Sequence, residues 1–433
     1  MQPWSGVFNA TRLGNRCPQL TVELGNNETD FIYDYSKASF TEDCLYLTVE
    51  TPQPVAGANL PVLIFWHGGA FMGGSGFIYD GRKFLDYDIV LVVPHYRLGP
   101  IGFMCLDTDD IAGNIGMIDQ VAALQWVKDH ISVFGGDPNR ITIMGQSAGG
   151  ATTAIWAIDR ANIYAAVEIG KQLGCPDLSI PGLTTCFQYA EIRSLLEAHA
   201  RFQAVEIAAG RNPFAGTSPV IQKAGSVRFL VEDPRTTLEN GNYTPHPALL
   251  GATKHDGTLV FYMLHDDYFL LNNLTTNEIY LQRNYSNTLI NFFRVTDQGE
   301  AIAAIEERAH FGPPNMGNYT AMTPGMVDFY NNMFLKGPID LLMLFDIPAL
   351  ILTLRDRAMC KPMVQLWTNF VIYGDPVTPL NPVAEVASWP MFDGSTRAGS
   401  YLRIDENWTV WTDYTRNEYF VSADEGFPWL TDH

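Results

Sequence analysis

The sequence has no apolar run long enough to cross a lipid bilayer. Its longest apolar stretch, Leu341–Leu354, is interrupted by Asp346 and Pro348, whereas a membrane helix needs about 20 mainly apolar residues. The first residues, Met-Gln-Pro-Trp-Ser-Gly-Val, contain no apolar signal-peptide core, so no signal peptide is predicted in the chain as written. The sequence therefore predicts a protein without a transmembrane segment.

Positive charge is also scarce. The chain carries 27 Lys and Arg against 47 Asp and Glu, a formal net charge of -20. Nucleic acids bind basic surfaces, so this balance argues against a nucleic-acid partner. Neither His-Glu-x-x-His nor Cys-x-x-Cys occurs, and we therefore predict no metal site and no cofactor.

Internal repeats and low-complexity linkers are absent as well. The 433 residues are 47% hydrophobic and 17% charged, a composition typical of a globular protein rather than of a disordered chain, a collagen or a coiled coil. Because large α/β enzymes often form one domain, we predict a single domain over residues 1–433.

The first part of the chain alternates segments with strand-like and helix-like patterns. Leu60–Trp66 is a nearly continuous apolar run, as expected for a strand buried on both faces. Further predicted strands are Leu45–Thr51, Asp88–Pro94 and Ala248–Thr253, and Tyr401–Ile404 is predicted to be a short strand or a loop. Helices are predicted at Ile115–His130 and Met363–Tyr373. This alternation predicts an α/β fold with a mainly parallel sheet flanked by helices.

The strongest local motif is Gly145-Gln-Ser147-Ala-Gly149, which follows the β-rich residues Ile-Thr-Ile-Met. Gly-x-Ser-x-Gly directly after a strand is typical of a nucleophile elbow, a sharp strand-to-helix turn that exposes the serine oxygen. The alternative is a tight turn with a structural serine, since short matches also arise by chance.

A second motif, His67-Gly-Gly69-Ala70-Phe, directly follows the apolar strand. The backbone N–H groups of Gly69 and Ala70, with that of Ala148, would form an oxyanion hole. An ordinary glycine loop is the alternative. Asp256 follows the predicted strand at 248–253 and is the candidate acid of a Ser, acid, His order, although a turn Asp before Gly257 is equally consistent with the local sequence.

Several longer stretches resemble the type-B carboxylesterase and cholinesterase family. They are Cys44-Leu-Tyr-Leu-Thr-Val, Phe65-Trp-His-Gly-Gly-Ala-Phe, Tyr96-Arg-Leu-Gly-Pro-Ile-Gly-Phe, Gly113-Asn-Ile-Gly-Met-Ile-Asp-Gln, Phe134-Gly-Gly-Asp-Pro-Asn-Arg, Gly145-Gln-Ser-Ala-Gly-Gly and Leu366-Trp-Thr-Asn-Phe-Val-Ile-Tyr-Gly-Asp-Pro. The resemblance implies an α/β-hydrolase fold and a serine esterase that hydrolyses small carboxylic esters through an acyl-enzyme.

The same resemblance assigns roles to individual residues. It implies Ser147 as the nucleophile, Asp256 as the acid, and Gly69, Ala70 and Ala148 as the oxyanion donors. It also implies two disulfide bonds, Cys17–Cys44 and Cys175–Cys186. The alternative for the cysteines is a set of buried thiols. Choline esters are disfavoured, because no Trp lies between Cys17 and Cys44 to bind a quaternary ammonium.

The chain departs from the family pattern at the catalytic histidine. Aligned on Phe345, the histidine's place is taken by Gly337. His310 is a weak substitute for the base, and His265 is predicted to be a surface or packing residue.

Three segments of the family pattern also lack a counterpart in the sequence. The interval from Gly150 to Cys175 is too short for the strand expected after the nucleophile helix. A strand before Asp340 and the N-terminal small sheet are also missing. We therefore expect a truncated or alternatively spliced esterase.

Seven Asn-x-Ser/Thr sequons indicate a secreted glycoprotein. They begin at Asn9, Asn27, Asn242, Asn273, Asn284, Asn318 and Asn407.

Two alternatives to an ester hydrolase remain from the sequence. One is a catalytically inactive adhesion or binding protein with the same fold, and the other is a non-functional truncated form, both suggested by the missing histidine.

Overall fold

The computed structural model describes most of the first half of the chain and separate stretches of the second. The described residues are 6–7, 9–19, 41–154, 162–211, 216, 218–249, 251, 261, 264–285, 287–288, 316–333, 354–391, 401–404 and 408–411. They fall into two compact units. The first comprises Met1–Gln203, Phe214–Ala248 and Ile339–Gly374, and the second comprises Ala204–Pro213, Leu249–Pro338 and Asp375–His433.

The first unit contains a four-stranded sheet. Its strands are β1 (Leu47–Glu50), β2 (Leu60–Trp66), β3 (Val90–Pro94) and β4 (Gly136–Gly145), in the order β1-β3-β2-β4. β2 pairs in parallel with both β3 and β4, while β1 is antiparallel to β3. The predicted mainly parallel sheet is therefore confirmed, and β2 occupies the position that its continuous apolar sequence predicts.

Side chains of the sheet alternate between two apolar clusters because successive residues of a strand point to opposite faces. Val62, Ile64 and Trp66 pack in a cluster that includes residues of helix α3 (Ile115–His130). Leu63 and Phe65 pack in the other, with Val364 of helix α11 (Leu354–Tyr373). The sheet is thus covered by a helix on each face.

The remaining helices of the first unit follow the chain in order. They are α1 (Arg82–Leu85), α2 (Gly99–Phe103), α4 (Ala148–Ala154), α5 (Asn162–Leu173), α6 (Ile180–Tyr189), α7 (Ile192–Ala208), which extends into the second unit, and α8 (Pro234–Glu239). Apolar residues of α5, α6 and α7, among them Ile169, Leu183 and Phe202, form a further cluster. Between β4 and Cys175 the described residues are helical or loop, so none of them provides the strand that the family pattern places there.

β4 differs from its neighbours in burial. All residues of β2 and β3 are buried, whereas Ile143 of β4 is 46% exposed. The pairing with β2 jumps from Leu60 opposite Gly136 to Val62 opposite Ile141, so residues 137–140 bulge out of the ladder. Pro138 lies in this bulge, where its missing N–H costs no ladder bond.

The second unit is described in parts. A π-helix at His265–Leu270, α9 (Glu278–Arg283) and α10 (Tyr319–Met333) surround a cluster that includes Phe269, Leu281 and Met322. β5 (Tyr401–Arg403) and β6 (Thr409–Trp411) form an antiparallel pair. Among the described helices, none combines the length and the apolar character that a membrane-spanning segment requires.

Most predicted elements that fall on described residues are confirmed, with shifted ends. β2 and α3 have the predicted bounds, and β1, β3 and β5 are shorter than predicted. The predicted helix at Met363–Tyr373 is longer, because α11 already begins at Leu354 and continues through Pro362. Half of the predicted strand at 248–253 lies outside the described residues, and its described residues 248, 249 and 251 are not in a strand.

Candidate active site

The two predicted motifs meet at one edge of the sheet. β2 and β4 are parallel neighbours, and Trp66 at the end of β2 lies opposite Gly145 at the end of β4. The segments that follow these strands therefore leave the sheet side by side, at the carboxyl edge where α/β folds build their sites. A Cβ atom on Gly68 would lie 3.0 Å from Cβ of Ser147.

The segment after β4 has the geometry of a nucleophile elbow. Ser147 has a φ of 53°, which is strained for a residue with a side chain, and it is exposed. Only glycine fits at positions 145 and 149, because other backbone segments approach closely there. A Cβ on Gly145 would collide with the carbonyl oxygen of Gly149, and a Cβ on Gly149 with that of Trp66. α4 then begins at Ala148.

The segment after β2 is held in an unusual backbone conformation. Gly69, Ala70 and Phe71 have φ values of 115°, 54° and 61°. The N–H groups of Gly69, Ala70 and Ala148 make no hydrogen bond to any described residue. Unpaired amides beside a strained serine are the arrangement that an oxyanion hole requires, since donors there must be free to bind the developing charge.

A buried tyrosine, Tyr96, contacts the first residue of the segment after β2. The Tyr96 hydroxyl donates a hydrogen bond of 2.7 Å to the carbonyl of His67, and the two rings stack with centroids 4.5 Å apart. Burial lowers the pKa of His67 to about 4, so its ring is neutral at pH 7. The sequence reasoning missed this role of Tyr96, although the residue belongs to one of the family-like stretches.

The acid and the base are not placed by the structure. Asp256 and His310 lie outside the described residues, as does Gly337. Among the described residues, none forms a hydrogen bond with the Ser147 side chain. His265 belongs to the second unit, where its Nδ1 lies 2.6 Å from the Tyr319 hydroxyl and its ring stacks on Phe261.

Both predicted disulfide bonds are present. Cys17 and Cys44 are bonded, as are Cys175 and Cys186, while Cys105 and Cys360 take part in neither disulfide bond. The first bridge is buried in the cluster that contains Trp66 and Phe71, next to the candidate site. The second bridge joins the loop after α5 to α6.

Comparison with known proteins agrees with this geometry. The sequence model of the Carboxylesterase family matches residues 1–156 and 150–344. Bile salt-activated lipase of Mus musculus is 28% identical over 484 aligned residues, which cover 94% of this chain and 76% of the lipase. Juvenile hormone esterase of Tribolium castaneum is 29% identical, over 87% of this chain and 76% of the esterase.

A solved structure has the same fold. The crystal structure of juvenile hormone esterase from Manduca sexta, with OTFP covalently attached, aligns with a TM-score of 0.72 at 19% identity. The alignment covers 95% of this chain and 87% of that chain. The sheet and its flanking helices are thus those of an α/β-hydrolase.

The matches also indicate where this chain is shorter than its relatives. The two matches to the family overlap at residues 150–156, within the interval where a strand is expected. The alignment with the lipase spans 484 residues, more than the 433 of this chain, so the lipase carries segments that this chain lacks. The chain belongs to the carboxylesterase family, and its similarity to an esterase and a lipase supports a hydrolase that acts on ester bonds.

Proposed function

We propose that the protein is a carboxylic ester hydrolase in which Ser147 is the nucleophile. The observation that carries the proposal is the placement of three unpaired amides, those of Gly69, Ala70 and Ala148, next to an exposed serine held at a φ of 53°. A serine in this conformation presents its oxygen to a bound ester, and amides converging on the carbonyl oxygen stabilise the tetrahedral intermediate.

The proposed reaction proceeds in two steps. The Ser147 oxygen bonds to the ester carbonyl carbon while its proton passes to a base, and the alcohol leaves with that proton. Water then adds to the acyl-enzyme, and the carboxylic acid is released as Ser147 regains a proton. We propose Asp256 as the acid that orients the base and His310 as the base.

We also propose that the protein is a secreted glycoprotein. The two disulfide bonds support an oxidising compartment. The asparagines of five of the seven sequons are among the described residues, and all five are exposed: Asn9, Asn242, Asn273, Asn284 and Asn318. We further propose one domain over residues 1–433, since the family match crosses the boundaries between the two compact units.

The proposal is tested by turnover of p-nitrophenyl butyrate by the purified protein. Ser147→Ala is expected to abolish turnover, whereas Ser132→Ala, which removes another exposed serine, is expected to retain it. His310→Ala is expected to lower turnover strongly. His265→Ala is expected to retain it, because that ring is already paired with Tyr319.

The contradicting outcome is equally specific. If the folded wild-type protein and Ser147→Ala are equally inert, the esterase proposal fails. An inactive adhesion or binding protein, or a non-functional truncated form, then becomes the better account.

A further inference from the structure

A buried glutamine holds the loop that follows the predicted oxyanion donors. Gln19 is 3% exposed, and its side-chain amide pairs twice with the backbone of Gly74. Its Nε2 donates to the carbonyl of Gly74 at 2.8 Å, and its Oε1 accepts from the N–H of Gly74 at 2.9 Å. Nε2 also donates to the carbonyl of Cys17 at 3.1 Å. A buried amide with both ends paired resists displacement, because moving it would leave polar groups unsatisfied.

Gly74 directly follows a turn that is closed on the carbonyl of Gly69, a predicted oxyanion donor. The N–H groups of Met72 and Gly73 donate to the carbonyl of Gly69 at 2.9 and 3.0 Å, which folds the chain back on itself. Gly74 packs so closely on the start of this loop that a Cβ there would lie 2.5 Å from the carbonyl oxygen of Gly68. Fixing Gly74 therefore fixes both ends of the loop at residues 68–74.

The disulfide Cys17–Cys44 fixes Gln19 in turn. Cys17 lies two residues before Gln19 and is bonded to Cys44, which lies three residues before the start of β1. Both sulfurs are buried in the cluster that contains Phe71. A continuous path of covalent and hydrogen bonds thus joins the sheet to the loop through the disulfide and Gln19.

We propose that Gln19, held by the Cys17–Cys44 disulfide, is a positioning residue that aligns the amides of Gly69 and Ala70 with the Ser147 oxygen. This inference rests on the proposed function. Oxyanion donors bind charge that develops only in the transition state. Loosening them therefore lowers kcat and leaves KM nearly unchanged.

The test compares two buried glutamines of the first unit. Gln19→Met keeps the length of the side chain and removes its hydrogen bonds. Gln222→Met is the matched control, since Gln222 is 2% exposed and pairs with the backbone of Gly113 and Phe229, away from the loop at 68–74. Hydrogen–deuterium exchange of the amides at residues 68–74 is measured together with kcat and KM for p-nitrophenyl butyrate.

For Gln19→Met we expect exchange at Gly74, Met72 and Gly73 to accelerate at least about tenfold and kcat to fall about 10- to 100-fold, with KM within about threefold. Gln222→Met leaves both readouts near wild type. The double variant Cys17→Ala/Cys44→Ala is expected to act like Gln19→Met, while Cys175→Ala/Cys186→Ala is not. If Gln19→Met does not fold, Gln19→Glu replaces it in the test, because it keeps an acceptor for the Gly74 N–H. We expect Gln19→Glu to accelerate exchange and to lower kcat as well.

Two results overturn the proposal. One is unchanged exchange at residues 68–74 in the Gln19 variants, and the other is accelerated exchange with unchanged kcat. Absence of turnover in the wild-type protein refutes the proposed function instead, and the exchange measurement then still decides whether Gln19 holds the loop.

Discussion

Replacing Gly149 by alanine tests the packing of the elbow against the end of β2. A Cβ at this position would collide with the carbonyl oxygen of Trp66 and lie 2.6 Å from the Trp66 carbonyl carbon and 3.0 Å from the His67 carbonyl oxygen. All three are backbone atoms, and those of Trp66 belong to a fully buried strand. Side-chain rotation cannot relieve this contact, so the elbow and β2 must move apart.

The required movement sets the size of the effect. Restoring a tolerable separation takes a shift on the order of 1 Å, and overpacking of this kind costs about 1–3 kcal/mol of unfolding free energy. The shift separates Ser147 from the segment at 67–71, which supplies two of the proposed oxyanion donors. A displacement near 1 Å in an active site lowers the rate about 100-fold.

The neighbouring glycine provides the control. A Cβ on Gly150 would lie 3.2 Å from the Gly145 carbonyl oxygen, so a few tenths of an ångström of adjustment are enough. Alanine also gains about 0.5–1 kcal/mol over glycine inside a helix. Urea unfolding and p-nitrophenyl butyrate turnover are measured for both variants. We expect Gly149→Ala to lose stability and activity and Gly150→Ala to stay within about 1 kcal/mol of wild type. Wild-type stability and turnover in Gly149→Ala would refute the reasoning.

Two further predictions concern acid stability and glycosylation. Burial lowers the pKa of His199 to about 4, so this ring is neutral when folded and takes up a proton on unfolding below pH ~6.5. The contribution of the neutral His199 ring to stability is complete above that pH and is lost as the pH falls towards 4. Between pH 7 and 5 the free energy of unfolding, measured with urea, should therefore fall by about 2 kcal/mol more in the wild type than in His199→Leu. Equal losses in the two proteins would contradict this. When the protein is expressed through a secretory pathway, treatment with peptide N-glycosidase should lower its mass. The Asn273→Gln variant, which lacks one exposed sequon, should lose less mass than the wild type. No loss of mass from the wild type would contradict the glycoprotein assignment.

Sequence patterns predict the sheet well where burial dictates composition. The run Leu60–Trp66 is apolar because both faces of β2 are covered. The bounds of α3 are also predicted, although its buried residues include Asp119 and Gln120 beside Met117 and Val127, so apolar residues alone do not define its buried face. The start of α11 is not predicted correctly, because packing outweighs the local sequence there. The helix is predicted to begin at Met363, but it starts at Leu354 and contains Pro362, because packing of α11 on the sheet outweighs the hydrogen bond that proline cannot donate.

The motifs predict the two segments of the candidate site but not what holds them together. Glycines at 69, 145 and 149 are visible in the sequence because close backbone approach excludes other residues there. Gln19 gives no such signal, since its partner Gly74 is 55 residues away and a glutamine in a loop has no characteristic pattern. Long-range hydrogen bonds of this kind emerge only when the chain is folded.

The central claim, that Ser147 is an activated nucleophile, is tested most directly by labelling with a fluorophosphonate. This reagent transfers its phosphorus group to an activated serine oxygen with loss of fluoride, and peptide mass spectrometry locates the adduct. Our account predicts one adduct, on the peptide containing Ser147, that is absent from Ser147→Ala and formed normally in Ser132→Ala. A folded wild-type protein that forms no adduct, or carries it on another residue, would contradict the account.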